Sequence, residues 1–263
     1  MHPSELIDLD RYPITDPESA DGRAFREHGR LTFKETGLLA LDGFLRQTAI
    51  AEMAAEARAL EYHAHFVEST HNVYLATEPE KYSGQGPAGR AEQTFVGSVA
   101  YDHLPRRSHL RRLYEWDPLM QFIQSVIGAA ELHRFVDPLG ACSINVYTNG
   151  GQHGWHFDES ELSITLMLQA PESGGEFEYV PGIRHRHDEE AVLSRVLDGD
   201  SRETQQLPFT TGTLLIFNGQ HTLHRVTPVT GSRARLVPVL CFSKQPGMRN
   251  SDEVRKYFWG RTA

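Results

Sequence analysis

The chain is poor in the features that mark secreted, membrane-spanning and nucleic-acid-binding proteins. Only two cysteines, Cys142 and Cys241, occur in 263 residues, which argues against a disulfide framework and favours a reducing compartment. No uninterrupted apolar run approaches the roughly 20 residues that span a bilayer, and the N-terminal residues lack the basic and apolar regions of a signal peptide. We therefore expect a cytoplasmic protein.

Positive charge is also scarce. Lysine and arginine number 26 against 35 aspartates and glutamates, which gives a net charge of −9 at pH 7. This acidic balance disfavours nucleic acid and anionic membrane surfaces as the main partners, so we expect a small-molecule substrate instead. The sequence leaves the oligomeric state open, with a homodimer among the options.

Helix-forming sequence lies mainly in the first half of the chain. Its composition and apolar spacing predict one helix from about Arg46 to Leu60, and a second over 117–129 with an Asp cap and Pro at the first position. The polar residues 1–30 are expected to wrap the surface.

The pattern changes near residue 141, where short segments rich in β-branched and aromatic residues begin to alternate with Gly and Pro turns. This pattern predicts an all-β core with flanking helices, namely a double-stranded β-helix of the jelly-roll, cupin-like type. We expect one domain over 1–263, with N-terminal helices and supporting strands in 1–140, the β core in 141–243 and a C-terminal helix in 244–263.

The segment from Gly150 to Asp158 carries the first chemical signal. It reads GGQHGWHFD, a turn followed by extended chain. His156 and Asp158 are two residues apart, and side chains at this spacing in a strand point to the same face. An imidazole and a carboxylate on one face are two of the three ligands in the 2-His-1-carboxylate site that binds non-haem Fe(II) and leaves positions open.

A third ligand must come from a distant strand, and His221 and His224 are the two candidates. We choose His224 because it begins the strand-like segment HRVTPV and is followed by Arg233, whereas His221 is expected in a turn. Two alternatives stay open at this point: the histidines are unrelated, or the bound metal is zinc.

These residues carry a resemblance to a known family. HFD at 156–158 together with GTLLIFNGQHTLHRVTPVTGSR at 212–233 resembles the Fe(II)/2-oxoglutarate-dependent dioxygenases, and the segment 153–184 resembles a bacterial subgroup of hydroxylases and radical halogenases that act on free amino acids. The resemblance implies Fe(II) bound by His156, Asp158 and His224, with 2-oxoglutarate and O₂ as cosubstrates. It further implies hydrogen abstraction from a substrate C–H bond and release of succinate and CO₂.

The resemblance also bears on the reaction outcome. Halogenases of the subgroup have a small residue in place of the metal-binding carboxylate, which leaves room for chloride. This chain keeps Asp158, so the resemblance implies a hydroxylase.

The distal carboxylate of 2-oxoglutarate needs a buried cation, and the planar fork of arginine suits it. Arg233 is the first choice from its spacing to His224, and Arg235, which has the same strand parity, is the competitor. Thr165 is expected to add a hydroxyl group, although it also fits as an ordinary strand residue.

Four residues are candidates for substrate binding. In the resembling subgroup the positions of His153 and Trp259 help to hold the substrate carboxylate, and Glu159 follows the metal motif directly. Trp259 also fits as a core anchor for the terminal helix. Arg90 lies in the Gly- and Pro-rich segment 77–93, which we expect to act as a lid, and is a candidate carboxylate clamp.

The inward positions after the arginines, Val239 and Cys241, argue against lysine as the substrate if they line the pocket. Hydroxylation of a free amino acid or a similar metabolite is thus the leading hypothesis. The alternatives are desaturation, cyclisation, hydroxylation of a peptide or nucleotide, and a non-catalytic jelly-roll metal-binding protein.

Overall fold

The helices lie mostly in the first half of the chain, as its composition predicts. The structure, a computed structural model, describes residues 1–75 and 86–263. Its helices are α1 (Pro3–Leu6), α2 (Ala20–Thr36), α3 (Gln47–Leu60), α4 (His109–Tyr114), α5 (Asp117–Ile127), α6 (Glu189–Leu197) and α7 (Asp252–Trp259). None of them is long and apolar enough to cross a membrane.

The strands lie mainly in the second half. They are β1 (Leu38–Leu41), β2 (His65–His71), β3 (Glu92–Val99), β4 (His133–Arg134), β5 (Cys142–Tyr147), β6 (Gln152–His156), β7 (Ser163–Leu166), β8 (Ser173–Gly174), β9 (Phe177–Val180), β10 (Gln205–Leu207), β11 (Leu214–Phe217), β12 (Leu223–Val226), β13 (Val229–Thr230), β14 (Arg235–Leu240) and β15 (Phe242–Ser243). All the pairings of the described strands are antiparallel.

The main sheet is curled, and β3 joins its two halves. The strand order is β1-β11-β7-β14-β5-β3-β6-β12-β9-β10, with β2 on the free edge of β3. One edge of β3 pairs with β6 through Thr94 and Phe95 and with β5 through Gly97–Val99. This arrangement is the jelly-roll core with flanking helices that the sequence predicts, so the expected fold class is confirmed.

The largest apolar cluster lies between the helices and the β1-β11-β7-β14-β5 half of the sheet. Helix α5 contributes Leu119, Phe122 and Val126 to it, and Phe25 of α2 stacks on Phe122 with ring centroids 5.2 Å apart. The side chains on the other face of this half are therefore free to line a cavity.

Two expectations about the helices need correction. Residues 1–30 do not only wrap the surface, since Leu6, Ile7, Tyr12 and Ile14 are buried in the main core cluster. Residues 20–30 form most of α2, whose N-cap Ser19 accepts a hydrogen bond from the Gly22 N–H. In α5 the capping position is Trp116, so Asp117 is the first helical residue and stabilises the positive end of the helix dipole instead.

The C-terminal helix α7 closes one side of the barrel. Ser251 caps its N-terminus, and Gly260 ends it with φ 69°, a left-handed conformation that favours glycine. The buried Arg255 guanidinium donates to Asp137 Oδ2 at 3.2 Å, which anchors α7 to the loop before β5.

Candidate functional site

Three candidate metal ligands converge on one point inside the curled sheet. His156 ends β6 and is the direct ladder partner of His224 in β12, while Asp158 follows two residues after His156. Asp158 Oδ1 lies 3.4 Å from His156 Nε2 and 3.5 Å from His224 Nε2. The three ligating atoms lie within 4.8 Å of one another, and within the described ranges no other group of this kind occurs.

Backbone carbonyls fix both imidazoles. His156 Nδ1 lies 2.7 Å from the carbonyl oxygen of Gly154, and His224 Nδ1 lies 2.8 Å from that of Thr222. A carbonyl only accepts, so each Nδ1 is the protonated nitrogen and each Nε2 keeps its lone pair. Both Nε2 atoms are therefore ready to bind a metal.

The carboxylate of Asp158 is held in a similar way. Ser163 Oγ donates a hydrogen bond to Asp158 Oδ2, which leaves Oδ1 to face the imidazoles. A Cβ at Gly219 would come within 2.0 Å of Asp158 Oδ2, so only glycine allows this close approach.

Electrostatics keeps His156 and Asp158 in the protonation states that a metal requires. Burial, followed by the charge of His224, lowers the pKa of His156 to about 4. Burial alone would raise the pKa of Asp158, but the electrostatic effect of His224, followed by the close approach of both imidazoles, brings it well below its usual range. At neutral pH His156 is neutral and Asp158 ionised, as metal ligands must be.

The cluster opens onto a cavity of about 420 Å³. Strand β14 forms its floor, with Arg235, Val237 and Val239 at alternate positions facing inward. Cys241 follows beyond the end of β14. Burial raises the pKa of the Cys241 thiol to about 12, so this part of the floor is uncharged at neutral pH.

Arg235 is the buried cation of this cavity. It is 2% exposed, and its guanidinium carbon lies 5.1 Å from the ring centre of Tyr147 and 5.6 Å from that of Phe209. Within the described residues its Nε has no hydrogen-bond partner, and neither does the buried Oγ1 of Thr165. Thr165 pairs with Val239 on β14 and lines the same cavity.

Arg233 is not in the cavity, which corrects the first choice made from the sequence. Its Nε and Nη2 donate to the carbonyl oxygens of Ala170 and Pro171, each at 2.9 Å, on the exposed surface. The physical reason is that Arg233 belongs to the bend that precedes β14, whereas Arg235 is the first residue of that strand. The geometry favours Arg235.

Three of the four candidate substrate residues line the cavity. The His153 ring stacks on that of His156 with centroids 3.7 Å apart, and burial, together with His156 and His71, lowers the pKa of His153. Trp259 is buried, and its Nε1 has no hydrogen-bond partner within the described ranges. Glu159 lines the cavity at an exposed position.

Arg90 does not line this cavity; its guanidinium pairs with Asp198 at 2.5 Å. Residues 77–85 of the expected lid lie outside the described residues. In the remainder of that segment, Pro87–Gly89 form a single 3₁₀ turn and β3 begins at Glu92.

Sequence reasoning missed two groups at the site. The role of Ser163 towards Asp158 had only one sequence signal, its alternation with Thr165 along β7. His71 had none: it is buried on β2, with Nε2 2.7 Å from Thr94 Oγ1, and its ring meets that of His153 edge-on.

Comparisons with known proteins agree with this architecture. The family model described as "Halogenase D" matches residues 22–257, and no curated protein sequence gives a significant match. Three solved structures illustrate the fold likeness.

The epimerase SnoN from nogalamycin biosynthesis superposes with a TM-score of 0.59 at 17% identity, covering 84% of this chain and 83% of its own. SnoN has also been solved with Fe³⁺, α-ketoglutarate and a nogalamycin compound. The carbocyclase SnoK from the same biosynthesis gives 0.58 at 15% identity, covering 87% and 90%. A 2OG-Fe(II) oxygenase family oxidoreductase from Burkholderia pseudomallei gives 0.52 at 18% identity, covering 84% and 92%. At identities this low, the superpositions show a shared fold and carry no conclusion about activity.

Proposed function

The chain belongs to the Halogenase D family, and from that premise we propose that it is an Fe(II)- and 2-oxoglutarate-dependent oxygenase that hydroxylates a free amino acid or a small amino-acid-like metabolite. One observation carries the proposal. The His156–Asp158–His224 cluster opens onto a cavity that is also lined by a buried arginine, Arg235, which has no anionic partner among the described residues.

The donor set fits Fe(II). Two neutral imidazoles and one carboxylate on the same side of a site are the ligands of non-haem iron oxygenases, and they leave positions open for a cosubstrate. When bound, Fe(II) together with 2-oxoglutarate and O₂ inserts one oxygen atom into a substrate C–H bond, while the other oxygen atom enters succinate as CO₂ is released. The work left to the protein is to hold the ligands, orient the substrate and exclude water.

Arg235 and Thr165 fit the distal carboxylate of 2-oxoglutarate. A buried guanidinium is costly unless an anion joins it, and the Arg235 Nε and Thr165 Oγ1 are both buried without partners within the described ranges. A bound carboxylate would satisfy both donors. Arg235 is therefore the arginine in this proposal, and Arg233 is left out.

Asp158 favours hydroxylation over halogenation in a family whose model is named for halogenases. Its carboxylate occupies the third ligand position, where a halide would have to bind, and Ser163 holds it there. Displacing it would leave a partly buried carboxylate without its metal partner.

The polar groups closest to the cluster fit the backbone of an amino-acid substrate. His153 lies against His156, and Trp259, whose indole N–H has no partner among the described residues, lines the same cavity. Both suit a substrate carboxylate. Glu159, an anion at an exposed part of the lining, suits an ammonium group.

The test begins with protein purified without oxygen. Iron, 2-oxoglutarate and a broad pool of amino acids are added before air, and succinate and product masses are measured. We expect succinate formation that depends on the substrate and a product heavier by one oxygen atom. A matched Asp158→Ala variant gives the background, and succinate no higher than this background across the pool would contradict the proposal. A product lighter by two hydrogen atoms would instead support desaturation.

A further inference from the structure

We propose that the substrate of this site is an amino acid with an apolar, uncharged side chain, which packs against an apolar wall formed by Phe135, Leu162, Cys241 and Val254. This inference rests on the proposed function and concerns the part of the cavity that neither metal nor 2-oxoglutarate would fill. All four residues line the cavity.

The wall lies at the end of the cavity away from Arg235. Cys241 is six residues beyond Arg235, which is about 20 Å along an extended chain. The Cys241 carbonyl accepts a hydrogen bond from the Phe135 N–H at 3.2 Å, so these two wall residues are adjacent. With 2-oxoglutarate reaching from the metal ligands towards Arg235, the space beside Cys241 is left for the substrate.

Helix α7 completes this end of the cavity. The Cys241 N–H donates to the Ala141 carbonyl at 3.0 Å, and the Trp259 ring packs on the neighbouring Gly140, where an added Cβ would come within 2.5 Å of it. Val254 lies on the same helix. The chamber beside the metal ligands is therefore enclosed by a strand end and a helix.

Nearby charged groups are either committed elsewhere or lie in solvent. Asp137 is paired with the buried Arg255 and with the side-chain amide of Asn250, so its carboxylate is not available to a cationic ligand. The two glutamates that line the cavity, Glu159 and Glu253, are both exposed. Within the described lining, no buried carboxylate besides the metal ligand could pair with a cationic side chain.

Neutral polar groups in this region are also partly occupied. Ser98 Oγ donates to Asn145 Oδ1 at 3.1 Å, and both residues line the cavity. A charged substrate side chain would therefore be desolvated against the wall without a partner, which is strongly unfavourable. An apolar side chain gains free energy from the same burial.

The sharpest test uses norleucine and ornithine, whose side chains contain the same number of non-hydrogen atoms and differ in that ornithine ends in an ammonium group. Specificity is measured as kcat/KM for coupled succinate formation by the holoenzyme. We expect norleucine to be preferred by at least about a hundredfold, since an unpaired buried ion costs several kcal/mol. Leucine, methionine and phenylalanine should compete with norleucine, whereas lysine, glutamate and glutamine should not.

A gain-of-specificity variant gives a second readout. Cys241→Asp adds an anion to the wall and should move the norleucine-to-ornithine ratio towards ornithine by at least about tenfold. Cys142→Ser serves as the control, because Cys142 is fully buried in the core cluster behind the sheet and its substitution should leave the ratio unchanged. If Cys241→Asp does not fold, the norleucine-to-ornithine ratio of kcat/KM in the native enzyme still tests the proposal.

Each outcome has a separate meaning. Equal or better turnover of ornithine, lysine or glutamine would overturn the apolar class and leave the oxygenase intact. Binding of Fe(II) and 2-oxoglutarate without turnover of any amino acid would overturn both the amino-acid substrate and this inference. Failure to bind Fe(II) and 2-oxoglutarate at all would overturn the oxygenase itself.

Discussion

Replacing Arg235 by Met should remove 2-oxoglutarate binding without harming the fold. Arg235 is 2% exposed and its Nε has no partner within the described ranges, and burial lowers the pKa of its guanidinium. In the absence of ligand it is a desolvated cation, so an apolar residue of similar size should be neutral or stabilising. With ligand, the lost charge-assisted pair should cost about 3 kcal/mol or more, which weakens 2-oxoglutarate binding roughly a hundredfold.

A thermal-shift assay without oxygen separates the two effects. Fe(II) with 2-oxoglutarate at about 100 times its Kd should stabilise the native chain by about 2.7 kcal/mol, which raises Tm by about 5 °C or more. The Arg235→Met variant should keep its ligand-free Tm and lose most of this shift. Arg233→Met is the matched control, since that side chain lies on the surface, and it should respond like the native chain. A full shift in Arg235→Met, or a lost shift in Arg233→Met, would refute the assignment.

Three further predictions concern the supports of the site. Ser163→Ala removes the hydroxyl that orients Asp158. It should weaken Fe(II) binding by about tenfold in anaerobic titrations and leave the metal-free Tm nearly unchanged. An unaltered Kd for Fe(II) would show that this hydrogen bond does not support metal binding. Asp137→Asn leaves Arg255 buried without its anion and should cost about 3 kcal/mol in urea unfolding at pH 7. Burial alone would raise the pKa of Asp137, but hydrogen bonds from the Leu139 N–H, Asn250 and Arg255 outweigh it, so the net pKa is lowered. The stabilisation by Asp137 is therefore present at neutral pH, and the difference in unfolding free energy between the native chain and the variant should shrink as pH falls below about 4. A difference that does not change with pH would contradict this. Trp259→Phe keeps the packing but removes the indole N–H, so KM for the amino acid should rise while the Kd for 2-oxoglutarate stays the same. A change in the Kd for 2-oxoglutarate with an unchanged KM for the amino acid would contradict the assignment of Trp259 to substrate binding.

The fold was largely predictable because local pattern and global architecture agree in this chain. The period-two alternation after residue 141 matches strands that have one face on the core and the other on a cavity. His156 and Asp158 could be paired from their spacing alone. His224 was separable from His221 because it opens a strand-like segment, and the structure places it opposite His156 in the ladder.

The features that the sequence did not predict depend on where turns end and on contacts between distant residues. Strand parity treats Arg233 and Arg235 alike, and only the position at which β14 begins distinguishes a surface guanidinium from a buried one. The contact between Ser163 and Asp158 depends on the curl of the sheet and on the absence of a side chain at Gly219. The role of the buried Asp137 in anchoring α7 joins residues far apart in sequence, for which one chain gives no signal.

The most direct test of the account is an anaerobic titration of the native chain with Fe(II) at saturating 2-oxoglutarate, followed by the visible absorption of iron-bound 2-oxoglutarate. We expect this absorption to saturate at about one iron per chain, since one group of three ligands occurs within the described residues, and to be absent from a His224→Ala variant. No such absorption in the native chain, or an undiminished signal in the variant, would contradict the proposed metal centre.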